Sequence, residues 1–264
     1  MEFLELLGKT LLLRPYVFLF LAIALATSVG LMGPKRTAIF FLLTWAAAFV
    51  FEFSSTRTGI PFGWYVYTGS TRNQELYLSN VPFMDSLSFS FLLFTSYCLA
   101  LVFLQPARGR WLRLDLHDDP AIRRAWPVLA LTTLFFVLLD MVIDPVALRG
   151  DRWFLGKIYY YPEPGVHFGV PIANYLGWAV VGLVALGVFQ RIDRRAPDAT
   201  IAPTITRPLL LGCVLYYGVL AFNLAVTFWI NEPVIGTTGL FMYLPITAFL
   251  LLKLAGRLPA PMSS

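Results

Sequence analysis

Five polar residues interrupt stretches that are otherwise apolar. They are Asp140 and Asp144 in TLFFVLLDMVIDPVALRG, Glu52 in AFVFEFSS, Asp85 in VPFMDSLSF and Asn174 in GVPIANYLGW. Asp140 and Asp144 are four residues apart and therefore share one face of a helix. A charged aspartate near the centre of a membrane helix costs about 2.5–3.5 kcal/mol on insertion scales, so such residues face a cavity or a partner and mark function. Carboxyl groups crowded together away from water cannot all ionise cheaply, and one of the set is expected to keep its proton near neutral pH. That is a proton donor set in grease, where the group able to take a proton is an alkene. Protonating a trisubstituted isoprenoid double bond leaves a tertiary cation, which aromatic faces stabilise through their quadrupoles.

Aromatic residues make up 16% of the chain. Trp64, Tyr65, Tyr67, Trp153, Tyr159, Tyr160, Tyr161, Tyr175 and Trp178 all fall near the end where the acids lie. An interfacial aromatic belt accounts for such a cluster equally well. Simpler roles exist for some polar residues too. Asp144, before Pro145, and Glu232, before Pro233, can be helix-boundary residues, and Asn174 and Asn223 can be interhelical hydrogen-bond donors. Asp140 and Glu52, at one depth on two different helices, are harder to place structurally.

The elements that must hold these residues are membrane helices. Of 264 residues 58% are hydrophobic and 13% charged, and the mean hydropathy is +0.71, far outside the range of a soluble domain. A span needs about 20 apolar residues, and seven such runs are expected near 12–32, 37–55, 82–105, 127–146, 169–190, 208–230 and 234–254. The first run is too long for a cleaved signal peptide and follows Glu2 and Glu5, so it is expected to remain as a span. Pro82, Pro127, Pro171 and Pro208 sit where first helical turns would fall. The expected architecture is an all-α polytopic membrane helix bundle forming one domain over 1–264. Of the 20 Lys and Arg, 13 lie on the side of the carboxyl terminus, which predicts that terminus in the cytoplasm and the amino terminus outside. The acids then lie in the outer leaflet, and the inner helix halves carry almost no ionisable groups. Topology accounts for the net charge of +5 without nucleic acid. Cys98 and Cys213 read as buried packing residues, His117 and His167 lie on opposite sides, and no phosphate-binding glycine loop is present.

Three blocks, STRTGIPFGWYVYTGS (55–70), DMVIDPVALRGDRWF (140–154) and YYYPEPGVHFGVPIANYLGW (159–178), resemble the signature blocks of the carotenoid biosynthesis protein family, which includes carotenoid hydratases. The resemblance implies a multi-pass protein of a bacterial or archaeal cytoplasmic membrane. It implies an enzyme with no cofactor and no metal that adds water to the terminal double bond of an acyclic carotenoid, leaving a tertiary alcohol. Its partners would be a carotenoid or other isoprenoid lipid, water and membrane lipids. Carried onto this chain, the catalytic residues are Asp140, Asp144, Glu52 and Asn174. Asp140 or Asp144 would supply the proton, the other would hold water with Asn174, and Glu52 would be a second acid or an orienting acceptor. The substrate-binding set would be Asp85, Arg57, Trp64, Tyr65, Tyr67, Trp153, Tyr160, Tyr175 and Trp178.

Other classes share some of these features. A cyclase would use the same acid but let an internal alkene capture the cation. A membrane prenyltransferase would use paired aspartates to hold Mg²⁺ and a diphosphate, together with a second acidic motif and basic residues. A transporter would show two similar halves and midplane polar groups, and a lipid-binding protein would leave Asp140 without a purpose. A retinal Schiff base would need a lysine inside helix seven, whose one lysine, Lys253, is at its end.

Overall fold

A computed structural model of the protein describes residues 2–195 and 205–257. Among these residues there are eight α-helices: α1 (Glu2–Leu13), α2 (Pro15–Thr58), α3 (Phe83–Leu104), α4 (Pro120–Arg123), α5 (Trp126–Ala147), α6 (Ile172–Arg195), α7 (Thr206–Trp229) and α8 (Pro233–Leu254). Six of them are long and apolar enough to cross a membrane. The first of the six, α2, has 44 residues. A straight helix of that length would measure about 66 Å, roughly twice the hydrocarbon thickness of about 30 Å.

It is not straight. Gly33 has φ 77° and ψ 166°, left-handed backbone that suits a residue without a Cβ, and Pro34 follows it. The hydroxyls of Ser28 and Thr37 lie 2.9 Å apart across this point, whereas nine residues of continuous helix would separate them by about 13.5 Å along the axis. The chain therefore reverses at Gly33. Its two arms, residues 15–32 and 34–58, both pack on α3, through Phe20 on Phe91 and Phe40 on Phe94. The outcome is seven membrane-length segments whose limits follow the seven expected runs within a few residues. The short helix α1 lies almost wholly ahead of the first expected run and has no counterpart among those runs.

The helix α3 sits at the centre. Its sequence is mostly apolar on every side, as a helix enclosed by others must be, and Leu93, Phe94, Cys98, Leu99 and Ala100 are fully buried. The arms of α2, with α5 and α7, surround it. Close approach of α7 depends on Gly212, where a Cβ would fall 2.4 Å from the Cys98 sulfur. Cys98 and Cys213 are buried and free, as packing residues.

Among the described residues three short antiparallel ladders tie the loops: β1 (Val66–Tyr67) with β6 (Tyr159–Tyr160), β2 (Tyr77–Leu78) with β3 (Val81–Pro82), and β4 (Ala107–Arg108) with β5 (Asp115–Leu116). The first joins the α2–α3 loop to the α5–α6 loop and sets Tyr67 opposite Tyr159. The α1 helix is anchored under the same cap. Arg14 is fully buried against Glu75 at 3.1 Å and donates to the Leu155 carbonyl at 2.6 Å. The Thr10 hydroxyl donates to Leu6 O at 2.7 Å and accepts from the Leu76 N–H at 2.8 Å. Replacing Thr10 by valine leaves that buried N–H unpaired, and should cost about 1–3 kcal/mol, read as a lower thermal midpoint of the purified protein in detergent.

Both ends of the bundle carry ion pairs. At the end where α5 finishes, Arg149 bonds Glu232 at 3.0 Å and Arg152 bonds the same carboxylate, linking the α5–α6 loop to the start of α8. At the opposite end, Asp193 on α6 is buried among Arg36, Arg123 and Arg124, and Arg123 also pairs with Asp118. The charges of this cluster satisfy one another. Lys253 is buried there as well, donating to the Gln105 carbonyl at 3.1 Å.

Candidate active site

The helical spacing of α5 places Asp140 and Asp144 on one face, and that face meets the first turn of α6. The Asn174 amide nitrogen donates to Asp140 Oδ2 at 2.8 Å and to Asp144 Oδ2 at 2.7 Å. One side chain thus bridges both acids. Two phenols complete the surroundings of Asp144: Tyr159 donates to Oδ1 at 2.6 Å and Tyr161 to Oδ2 at 2.9 Å. Burial first, and the Asp144 charge next, push both phenols well above the usual tyrosine value, so they stay protonated donors. Asp144 therefore collects three hydrogen bonds, the arrangement that suits a carboxylate anion. Asp140 is wholly buried, and its Oδ1 has no hydrogen-bond partner among the described residues.

A second acid group faces the first. Glu52, buried on the second arm of α2, accepts from the Ser86 hydroxyl and contacts the Tyr67 hydroxyl at 3.0 Å. The same hydroxyl lies 2.6 Å from Asp85 Oδ2. Asp85 occupies the first turn of α3, where the helix dipole favours negative charge. Tyr65 approaches the Glu52 main-chain carbonyl at 3.4 Å. The ladder between β1 and β6 brings Tyr67 and Tyr159 to the two acid groups from neighbouring strands.

Two cavities meet at these residues. One, of about 110 Å³, is mostly apolar and lies between the first arm of α2, α3, α5 and α7, with Tyr16, Phe20, Phe91, Trp153 and Phe222 in its walls. The other, of about 40 Å³, is lined by Glu52, Tyr65, Tyr67, Tyr161 and Asn174 together with Phe62 and Phe89. A water needs only about 10–15 Å³ on this measure, so the polar chamber has room for one. Asp85, Asp144, Tyr159 and Trp178 line both spaces and form the wall between them. Trp178 is held there by stacking on Phe89, with ring centroids 4.1 Å apart and 22° between planes. Phe62 is brought in by the loop after α2 and rests on Gly177, where a Cβ would fall 2.2 Å from its ring.

Of the thirteen residues expected at the site, Asp140, Asp144, Glu52, Asn174, Asp85, Tyr65, Tyr67 and Trp178 come together here. Trp153 lines the apolar cavity, its indole N–H donating to the Val146 carbonyl at 3.0 Å. Tyr175 lines neither cavity and pairs with His167 Nδ1 at 2.5 Å. Arg57, Trp64 and Tyr160 lie outside it. Arg57 is exposed and packs over Phe53, while Trp64 and Tyr160 are 57% and 41% exposed. Asp140 supports Asn174 but lines neither cavity. Residues missing from that set are Tyr159, Tyr161 and Ser86. Asn223 lines the apolar cavity, its amide bonded within its own helix to Val219 O at 2.9 Å. Among the described residues no three His, Cys, Asp or Glu side chains are grouped to hold a metal ion.

Fold and site together define a polytopic helical membrane protein with a buried chamber of acids and phenols beside an apolar cavity. The chain belongs to the carotenoid biosynthesis protein family, whose profile matches residues 13–245. It is 27% identical, over 237 residues, to the bisanhydrobacterioruberin hydratase of Haloarcula japonica, a match covering 85% of this chain and 70% of that protein. No solved structure matches significantly.

Proposed function

We propose that the protein is a cofactor-independent carotenoid hydratase, adding water across the terminal double bond of an acyclic carotenoid end group. The observation that carries this reading is the shared wall. An apolar space suited to an isoprenoid end and a polar space with room for water meet at two carboxyl groups, Asp85 and Asp144, and an indole. The name of the Haloarcula relative points the same way.

The reaction needs three things from the chain. A carboxyl group at the wall protonates the less substituted alkene carbon. The faces of Trp178 and Tyr159 stabilise the resulting tertiary cation. Asp144, steered by Tyr159, Tyr161 and Asn174, orients the water and takes its proton as the C–O bond forms. Asp140 acts through Asn174 as a positioning residue. The distribution of Lys and Arg favours placing this chamber toward the outer face of the membrane.

The test is expression in a host that accumulates lycopene or another acyclic carotenoid, with pigments separated by chromatography and weighed by mass spectrometry. A product heavier by one water is the expected result. An isomer of unchanged mass with a shortened chromophore would replace hydration by cyclisation, and unaltered pigments across several acyclic carotenoids would overturn the reading.

A further inference from the structure

We propose that Glu52, Tyr67 and Asp85 together hold one shared proton, and that Tyr67 passes it to Asp85, the group that protonates the substrate. The role in protonation rests on the hydratase reading above; the shared proton does not. The inference begins with a count of hydrogens. The Tyr67 oxygen lies 3.0 Å from Glu52 Oε1 and 2.6 Å from Asp85 Oδ2. A phenol has one hydrogen and can donate to one carboxylate only. Burial first, then the charges of Asp85 and Glu52, hold the Tyr67 phenol well above its usual value, so it keeps that hydrogen. Were both carboxyls ionised, one contact would set lone pair against lone pair inside the protein. A second hydrogen, carried by Glu52 or Asp85 and donated to the Tyr67 oxygen, makes both contacts hydrogen bonds.

Two arrangements satisfy this count. With the hydrogen on Asp85, the Glu52 carboxylate accepts from Tyr67 and from Ser86. With it on Glu52, Glu52 donates to Tyr67 and Tyr67 donates to Asp85. They interconvert by shifting two hydrogens along existing bonds, with no heavy atom moving. Only Asp85 of the three lines both cavities, so delivery occurs there. The other titratable groups facing the trio are Tyr65 just before β1, Tyr159 on β6 and Tyr161 after it, Tyr16 across the apolar cavity, Asp144 on α5 with Asp140 behind it, and the Arg14–Glu75 ion pair near Asp85.

The cycle balances. The Asp85 O–H bond breaks as a C–H bond forms on the alkene, and the π electrons leave a tertiary cation. Water adds to that carbon and yields its proton to Asp144. The proton returns from Asp144 through the chamber to Glu52, and Tyr67 passes the shared proton on to Asp85, restoring every group, and the substrate has gained one water.

Infrared spectroscopy of the purified, substrate-free protein in lipid nanodiscs reads the proton directly. The expected spectrum at neutral pH contains a protonated-carboxyl band, sensitive to deuterium exchange, that disappears in both Glu52→Gln and Asp85→Asn and shifts in Tyr67→Phe. An amide at either position donates to the Tyr67 oxygen and makes the shared proton unnecessary. A wild-type spectrum identical to that of Glu52→Gln overturns the shared proton whatever the pigments show. In hydration assays Tyr67→Phe, which keeps the ring packed against Tyr65 and Tyr159, should lower kcat at least about tenfold with KM within twofold, and displace the pH profile. Unchanged kcat and pH profile would overturn the relay. Should the band behave as expected while no carotenoid is hydrated, the reading of function and the relay both fall but the shared proton stands.

Discussion

Replacing Asp144 by asparagine should abolish hydration, lowering turnover by about 10²–10⁴, the range a positioned general acid or base contributes, while the protein still inserts and purifies as a folded species. Three donors converge on this carboxylate. An amide keeps the volume but offers one oxygen, and its NH2 group must face a donor. The water then loses both its orienting anion and the acceptor for its proton. Because crowding of donors can itself loosen the site, Tyr161→Phe provides the control. It removes one of the three hydrogen bonds but leaves the anion and the acceptor for the proton, and should lose less activity than Asp144→Asn, since a hydrogen bond to a charged group is worth about 1.5–3 kcal/mol. Activity normalised to inserted protein, alongside the thermal midpoint of each variant, separates the cases. Turnover surviving in Asp144→Asn would remove Asp144 from the chemistry.

The second large effect belongs to Trp178. Truncation to alanine opens the wall between the cavities and removes the stacked ring beside Phe89 and Phe136. A cation–π contact in a desolvated place is worth about 2 kcal/mol, which converts to a roughly 30-fold slower step. The void should also cost about 3–5 kcal/mol of stability. Trp178→Phe retains an aromatic face and much of the volume, so its rate should lie between the two. A Trp178→Ala protein that hydrates at the wild-type rate would show that the indole is packing alone.

Legibility in the sequence followed the strength of each contrast with its surroundings. Glu52, Asp140 and Asn174 stand out because an acid or amide inside an apolar helix is costly, and helical spacing then fixes that Asp140 and Asp144 share a face. The seven spans were legible for the same reason. The reversal at Gly33 is marked by the break between two apolar runs, although the helix resumes at Pro34 at once. Ser86 gave no such signal, since a hydroxyl costs an apolar helix little. The α1 helix was missed because twelve residues are too few to read as a span. Arg57, Trp64 and Tyr160 belong to the recognisable blocks, yet a motif does not state which way a side chain points.

Tyrosines 159–161 show this most plainly. Three identical residues in a row offer no contrast, and only the pairing of Tyr67 with Tyr159 decides that 159 and 161 turn inward while 160 faces out. That pairing makes loop length a chemical variable. Deleting or inserting one residue ahead of either strand would exchange the two faces, presenting Val66 to the acids in place of Tyr67, or Tyr160 in place of its neighbours. The helices would be untouched, and the lesion would resemble a catalytic mutation. Among natural and engineered variants of this chain, the tolerated changes in these two loops should therefore keep the spacing to the ladder, or alter it by two residues at a time.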